Sequence, residues 1–322
     1  MNSITRRSLA LSLAGVLALA TTACNRGDDA ADDGAGATSG GGEGGQTITL
    51  AVSTLNNPFF ITLRDGAQEA ADAAGATLEV VDAQNDAATQ QNQLANAATQ
   101  GVDAVIINPV DSEAAAAAVT PVLDGDIPVI AVDRSVEGKD VNSTVSSDNV
   151  AGGKQAAEAL AEAMGGKGKV IVLQGVAGTS ASRDRGKGFE EGIAAFPDIE
   201  VVAMQPANFD RAQGLDVATN LLESNADVTG IFAENDEMAL GALQALGDRA
   251  GQDVFVVGFD GTEDGLKAVA DGTMVATIAQ QPAELGKVAV EQALKAINGE
   301  ELPAQQPVEV VTVTEDNVAD FQ

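Results

Sequence analysis

The sequence predicts an α/β protein in which two similar, doubly wound parallel-sheet lobes are joined by a three-crossing hinge. From Thr47 onward, short β-branched apolar runs alternate with alanine-rich runs of helical spacing. Such alternation is typical of right-handed βαβ units and parallel sheets. The plan occurs twice, before and after an irregular stretch near residues 142–148, and 322 residues are enough for two domains.

The predicted elements follow the chain in order. In the first half, strands and helices alternate, beginning with a strand, at 47–53, 60–74, 77–82, 87–100, 103–107, 112–124 and 128–132. In the second half they alternate, beginning with a helix, at 149–164, 169–174, 181–195, 199–204, 211–223, 229–233, 236–249, 253–258, 263–270 and 274–279. A helix at 283–298 and a strand near 307–313 complete the prediction.

Three stretches are candidates for crossings between the lobes: residues 142–148, Gln280 to Pro282, and Val308 to Val310. They predict an N-terminal lobe of residues 47–147 plus 281–309 and a C-terminal lobe of residues 148–280 plus 310–322. A cleft between two lobes that share several crossings can close around a ligand by hinge motion.

The N-terminal segment has the pattern of a bacterial lipoprotein. Residues 1–23 predict a signal peptide, with Arg6 and Arg7 ahead of an apolar run that is too short to span a bilayer well. Cys24 follows a small-residue cleavage site and resembles the lipidated cysteine of a lipoprotein box. Residues 24–46 therefore predict a lipid anchor and a flexible, Gly/Asp/Ser-rich linker, which would hold the protein at the outer face of the cell membrane.

Composition excludes several classes of function. The formal charge of −31 argues against a nucleic-acid partner, because phosphates need a basic surface. The sequence has no histidine, which excludes His-dependent triads and His-ligated metal sites. With no Trp or Tyr, phenylalanine must supply any stacking surface. We expect no cofactor and no bound metal.

Residues 53–60, Ser-Thr-Leu-Asn-Asn-Pro-Phe-Phe, form a predicted strand-to-helix turn. Its amides offer hydrogen-bond donors and acceptors, Pro58 fixes the backbone, and Phe59 and Phe60 supply flat apolar faces. This combination suits a small polyhydroxylated ring, which has polar edges and C–H faces.

Similar side chains follow the other predicted strands where they end. One such residue alone is more often a turn former or a helix N-cap. Recurrence through two half-sheets favours convergence on one cleft, because ligands of open parallel sheets bind outside the carboxyl ends of the strands. The residues are Asn57, Asn108, Asp133 with Arg134, Phe209, Asn235, Asp260 and Gln280.

These side chains have the chemistry of a sugar site. Asp133 and Asp260 can accept hydrogen bonds from hydroxyl groups, and Arg134 and Arg185 can donate to hydroxyl or ring oxygens. Amides can do both. Arg134 also favours the ionised form of Asp133, which weakens an alternative in which the two aspartates are the paired carboxylates of a glycosidase.

At this point the chain resembles the bacterial ribose-binding proteins, a family of periplasmic sugar-binding proteins with the type I periplasmic binding protein fold. The resemblance runs from residue 47 to about 315. Its motifs include Ser53 to Phe60, Ile107-Asn108-Pro109, Val132-Asp133-Arg134, Arg183-Asp184-Arg185-Gly186, Asn235 to Leu243, Val257 to Thr262 and Ala276 to Gln280.

The resemblance implies that D-ribose or a similar monosaccharide is the ligand, and that the protein is a monomer that delivers it to an ABC transporter permease and sometimes to a chemoreceptor. It assigns ligand contacts to Asn57, Phe59, Phe60, Asn108, Asp133, Arg134, Arg185, Phe209, Asn235, Asp260 and Gln280.

Two further alternatives bear on this expectation. A sugar-responsive repressor has the same two-lobed core, but this chain carries a predicted signal peptide in place of a helix-turn-helix. The second alternative is a binding protein of the same fold whose ligand is allose, another pentose or a furanosyl signalling molecule.

Overall fold

The computed structural model describes residues 45–321. The predicted signal peptide, Cys24 and nearly all of the linker lie outside the described residues. Among those described, no helix is long and apolar enough to cross a membrane.

Twelve strands and nine α-helices alternate through the described residues. The strands are β1 (Thr47–Val52), β2 (Thr77–Asp82), β3 (Ala104–Ile107), β4 (Val129–Val132), β5 (Ser143–Ser147), β6 (Lys167–Gln174), β7 (Asp198–Pro206), β8 (Gly230–Ala233), β9 (Phe255–Asp260), β10 (Ala276–Ala279), β11 (Gln305–Val308) and β12 (Val311–Val313). The helices are α1 (Pro58–Ala74), α2 (Ala87–Gln100), α3 (Ala115–Asp124), α4 (Asn149–Ala163), α5 (Ser180–Ile193), α6 (Arg211–Ser224), α7 (Asp236–Leu246), α8 (Glu263–Ala270) and α9 (Pro282–Ile297).

The strands form two six-stranded sheets. The first has the order β11-β5-β4-β3-β1-β2 and the second the order β12-β10-β9-β8-β6-β7. All neighbouring strands are parallel except β10 and β12, which are antiparallel. Each sheet is buried by apolar clusters on both faces, because its strands are short, apolar and covered by helices on either side.

The chain passes between the two sheets three times. It leaves the first sheet after β5, returns after β10 through α9, and leaves again between β11 and β12. These passages correspond to the three predicted crossings. The α/β prediction of two doubly wound lobes is confirmed, while the predicted lobe boundaries stay a prediction.

Two element predictions were wrong. The stretch read as irregular contains β5, whose sequence Ser-Thr-Val-Ser-Ser lacks the apolar run that marks the other strands. The single strand predicted near 307–313 is two strands that lie in different sheets. Strands β11 and β12 are edge strands of four and three residues, so hydrophobic periodicity carries little signal there.

Helix α9 returns the chain to the first sheet and packs closely on α1. A Cβ atom on Gly286 would lie 2.0 Å from the carbonyl oxygen of Leu63, and one on Gly66 would lie 2.2 Å from that of Ala283. The backbones of the two helices therefore approach closely at Gly66 of α1 and at Gly286 of α9, where a side chain would not fit.

We predict that Gly286→Ala lowers the free energy of unfolding by about 1–3 kcal/mol. Alanine favours helix by about 1 kcal/mol over glycine, but the clash is with backbone atoms of α1 and exceeds that gain. Urea unfolding followed by far-UV circular dichroism measures the change. The exposed substitution Glu291→Ala on α9 is the control. Equal midpoints for the two variants would contradict the close packing of α1 and α9.

Candidate functional site

Ten of the eleven predicted site residues line one cavity of about 250 Å³ between the two sheets. They come from both lobes, some from the turns that follow strands and others from the N-terminal parts of α1 and α5. The eleventh, Asn108, does not line it. The lining residues are Asn57, Phe59, Phe60, Asp133, Arg134, Ala181, Arg185, Phe209, Asn235, Asp260 and Gln280.

The first turn contributes one amide and two aromatic rings. Asn57 is the N-cap of α1, and its Oδ1 accepts a hydrogen bond from the backbone N–H of Phe59 at 2.9 Å. This bond fixes the side chain. Phe59 and Phe60 lie edge to face, with ring centroids 5.1 Å apart. Asn57 therefore both caps α1 and lines the cavity.

Asp133 and Arg134 follow β4 and are almost fully buried. The Asp133 carboxylate accepts a hydrogen bond from Asn108 Nδ2 at 2.9 Å, and Arg134 Nη1 donates to the carbonyl oxygen of Pro109 at 2.8 Å. Arg134 Nε lies 3.5 Å from Asp133 Oδ2. The Arg134 guanidinium also lies between the rings of Phe60 and Phe209, 5.4 and 5.6 Å from their centroids. Arg134 therefore contacts aromatic rings of both lobes.

Asn108 holds Asp133 in place without lining the cavity itself. Its Oδ1 accepts a bond from the Ser53 backbone N–H at 3.1 Å, and its Nδ2 donates to Val132 and Asp133. The side chain is fully buried. The structure gives Asn108 a positioning role, and direct contact with a ligand stays a prediction.

Arg185, on α5, is the buried cation of the second lobe. Its Nε donates to Asn149 Oδ1 at 2.9 Å, and its Nη1 donates to the carbonyl oxygen of Glu234 at 2.7 Å. The guanidinium lies 3.9 Å from the centroid of the Phe259 ring and 3.5 Å from Asp260 Oδ1. Such contacts hold the guanidinium in one orientation.

Phe209 and Asn235 form the adjoining wall. The Phe209 ring lies over Gly175, where a Cβ would approach it to 2.0 Å, so only glycine allows this position of the ring. Asn235 is the N-cap of α7, and its Oδ1 accepts a bond from Met238 N at 3.0 Å. Its Nδ2 donates to the Phe209 carbonyl oxygen at 3.4 Å.

Gln280 links Asp260 to the crossing before α9. Its Nε2 donates to Asp260 Oδ1 at 2.7 Å, and its backbone N–H donates to the Asp260 carbonyl oxygen at 2.9 Å. Asp260 and Asp133 both have positive φ, 120° and 65°. Uncommon backbone conformations of this kind cluster at functional sites.

Burial raises the pKa values of both carboxyls in the cavity. For Asp133 desolvation outweighs the opposing effect of Arg134 and Arg185. For Asp260 desolvation outweighs the effect of Arg185, and the nearby Asp236 raises the pKa further. As the sequence predicted, Arg134 favours the ionised form of Asp133 and lowers its pKa, but burial, which the sequence did not reveal, raises that pKa by more.

Sequence reasoning missed four residues of the site. Ala181 lines the cavity, Asn149 and Phe259 orient Arg185, and the Glu234 backbone accepts from it. The side chain of Glu234 is fully buried and accepts from Gly175 N at 2.7 Å and from the Ser182 hydroxyl. Burial raises the pKa of Glu234 to about 7. In the sequence, the one indication that Glu234 belongs to the site is its position immediately before Asn235.

The two lobes and the polar cavity between them define a two-lobed ligand-binding protein. Residues 48–301 match the family described as the periplasmic binding protein domain. The chain belongs to this family, which implies an extracytoplasmic substrate-binding protein of a transport system. The predicted resemblance is confirmed.

Two relatives and one solved structure show how close the similarity is. Ribose import binding protein RbsB of Haemophilus influenzae is 50% identical over 269 residues, 84% of this chain and 91% of that protein. The protein of the same name from Bacillus subtilis is 45% identical over 256 residues, 80% of this chain and 83% of that protein. An ABC transporter periplasmic solute binding protein from Actinobacillus succinogenes, solved with bound D-allose, is 36% identical, with a TM-score of 0.80 and coverage of 85% of this chain and 99% of that one.

We predict that Glu234→Gln makes stability less dependent on pH. The pKa of Glu234 is 4.5 in a model compound and about 7 in the fold, so between these values the native state binds more protons than the unfolded state. Wild-type stability therefore falls as pH rises through this window, whereas glutamine does not ionise. The variant should match wild type near pH 4.5 and exceed it at pH 8 by up to about 3 kcal/mol.

Thermal melts followed by circular dichroism across this pH range test the expectation. Glu223→Gln, at an exposed position on α6, controls for the loss of one negative charge. A Glu234→Gln variant that is less stable than wild type at pH 8 would show that the ionised carboxylate stabilises the fold.

Proposed function

We propose that the protein captures D-ribose in the cavity between its lobes and delivers it, chemically unchanged, to an ABC transporter permease. In this proposal the eleven predicted residues hold the sugar, and Asn108 also positions Asp133. The lobes, residues 47–147 with 281–309 and 148–280 with 310–322, close around it. The protein is not an enzyme.

The charge balance of the cavity carries this proposal. Two buried carboxylates face two buried guanidiniums, so their formal charges cancel when all four ionise. A neutral ligand leaves that balance intact, whereas a charged one would add an unpaired charge to a desolvated site. Carboxylates and guanidiniums together provide acceptors and donors at several angles, as a ring with several hydroxyl groups requires.

Two buried polar atoms that make no hydrogen bond support the same conclusion. Arg134 Nε and Gln280 Oε1 are buried and have no hydrogen-bond partner among the described residues. Buried polar atoms are nearly always paired, so a donor and an acceptor are available here for a ligand. The rings of Phe59, Phe60 and Phe209 supply the apolar faces that C–H groups of a sugar contact.

Ribose is favoured because two relatives that are 50% and 45% identical over 80% or more of the chain are named for its import. A related hexose is the second candidate, since the solved relative was determined with D-allose bound.

Isothermal titration calorimetry of the full chain with D-ribose tests the function. We expect a single site with a dissociation constant of about 1 μM, and much weaker binding of D-xylose, L-arabinose and D-glucose. D-Allose distinguishes the second candidate. Heat from none of these sugars would contradict the proposal.

We predict that Arg185→Ala weakens ribose binding by about 10- to 100-fold, the effect of losing one charge-assisted hydrogen bond and leaving Asp260 less well paired. Because Arg185 belongs to the second lobe, the variant should also lose the ligand-induced compaction seen by small-angle X-ray scattering. Lys295→Ala removes an exposed positive charge outside the cavity and serves as the control. Unchanged affinity and compaction would remove Arg185 from the site.

We further propose that Cys24 carries a lipid and anchors the protein to the outer face of the cell membrane, with no other membrane contact. Mass spectrometry of the mature N-terminus should show diacylglycerol on this cysteine, and Cys24→Ser should move the protein from the membrane fraction to the soluble fraction. A mature chain that begins elsewhere, or an unmodified Cys24, would contradict the anchor.

A further inference from the structure

Residues 175–180 connect β6 to α5 and extend from the second lobe to the first. We call them the clasp loop. The loop is braced within its own lobe: Gly175 N donates to Glu234 at 2.7 Å, and Thr179 Oγ1 donates to the Val176 carbonyl oxygen at 2.8 Å. Thr179 is also the N-cap of α5. The loop is therefore held in position independently of the first lobe.

Three hydrogen bonds join the clasp loop to the first lobe. Ser112 N donates to the Gly178 carbonyl oxygen at 3.1 Å, and Ser180 N donates to Ser112 Oγ at 3.1 Å. Ser135 N donates to Ser180 Oγ at 2.9 Å. Ser112 and Ser180 are buried, yet neither lines the sugar cavity.

Close packing accompanies these bonds. Gly178 has φ of +92°, and a Cβ added to it would lie 2.2 Å from Asp111 Oδ2 of the first lobe. With a side chain at this position, either the lobes would separate or the Asp111 carboxylate would rotate and lose its bonds to the N–H groups of Glu113 and Ala114. Glycine thus allows both the conformation of the loop and its approach to the first lobe.

We propose that the clasp loop and Ser112 form a latch that sets sugar affinity by stabilising the closed form, without contacting the sugar. The proposal rests on the proposed function, in which closure accompanies binding. In it Ser112 and Ser180 are positioning residues, since they act through the relative placement of the lobes.

The buried hydrogen bonds contribute more to the latch than the ion pair at its edge. Arg183 and Glu137 also pair across the lobes, but their side chains are 46% and 37% exposed. Exposed pairs are screened by water and salt and contribute little. A buried backbone N–H that loses its acceptor has no such compensation. The latch should therefore be largely insensitive to salt.

A latch has a signature that distinguishes it from a sugar contact. Its bonds are the same whichever sugar lies in the cavity. Weakening them lowers the population of the closed form and reduces the affinity for every sugar by the same factor. Loss of a sugar contact instead changes the ratio of affinities between sugars that differ at the contacted hydroxyl.

The test compares Ser112→Ala and Ser180→Ala with wild type in the full chain, by calorimetry with D-ribose and D-allose. We expect each variant to weaken binding of both sugars by about three- to tenfold, the effect of one hydrogen bond, with the ribose-to-allose ratio unchanged. Ser224→Ala is the control, because the Ser224 hydroxyl bonds only within α6. Thermal melts by circular dichroism establish that every variant is folded.

Folded Ser112→Ala and Ser180→Ala variants with wild-type affinity, or with an altered ratio, would overturn the latch. Absence of sugar binding by wild type would instead contradict the proposed function. In that case small-angle scattering tests the latch alone. Ser112→Ala and Ser180→Ala must be more open than wild type for the latch to stand, and equal dimensions would overturn it.

Discussion

Burial of four charged side chains between the lobes is the constraint on which the rest of the site depends. Asp133, Arg134, Arg185 and Asp260 are each at least 95% buried. Desolvated charges are costly unless they are paired and hydrogen-bonded. Each therefore has a fixed partner: Asn108 for Asp133, the Pro109 carbonyl for Arg134, Asn149 and Glu234 for Arg185, and Gln280 for Asp260. These partners hold the site ready for a neutral polar ligand.

The same constraint explains why the strand ends supply the site. A side chain at the end of a parallel strand is close to the first turn of the next helix, where backbone N–H groups need acceptors. Asn57 and Asn235 use their oxygens as N-caps of α1 and α7 while lining the cavity. Structural capping and ligand contact are thus compatible in asparagine, because its amide has separate donor and acceptor atoms.

Sequence patterns predicted most of the fold and cavity for a definite physical reason. Apolar runs mark buried strands, and polar residues directly after them lie at one edge of a sheet. Strand β5 was missed because serine and threonine replace the apolar run, and its pairing with β4 and β11 compensates for that. The burial of Glu234 depends on Gly175 and Ser182, more than 50 residues away, and local sequence carries no sign of such a contact.

A protein that passes its ligand to another protein must bind the ligand tightly and must also release it, and these two requirements conflict. If the cavity alone held the closed form, stronger binding would require more sugar contacts, each of which would also alter specificity. Backbone-to-hydroxyl bonds away from the cavity separate the two properties, since they change closure for all sugars alike. The bonds of Ser112 and Ser180 are neutral and few. They stabilise the closed form only moderately, so the lobes can still separate when the surface of another protein binds them.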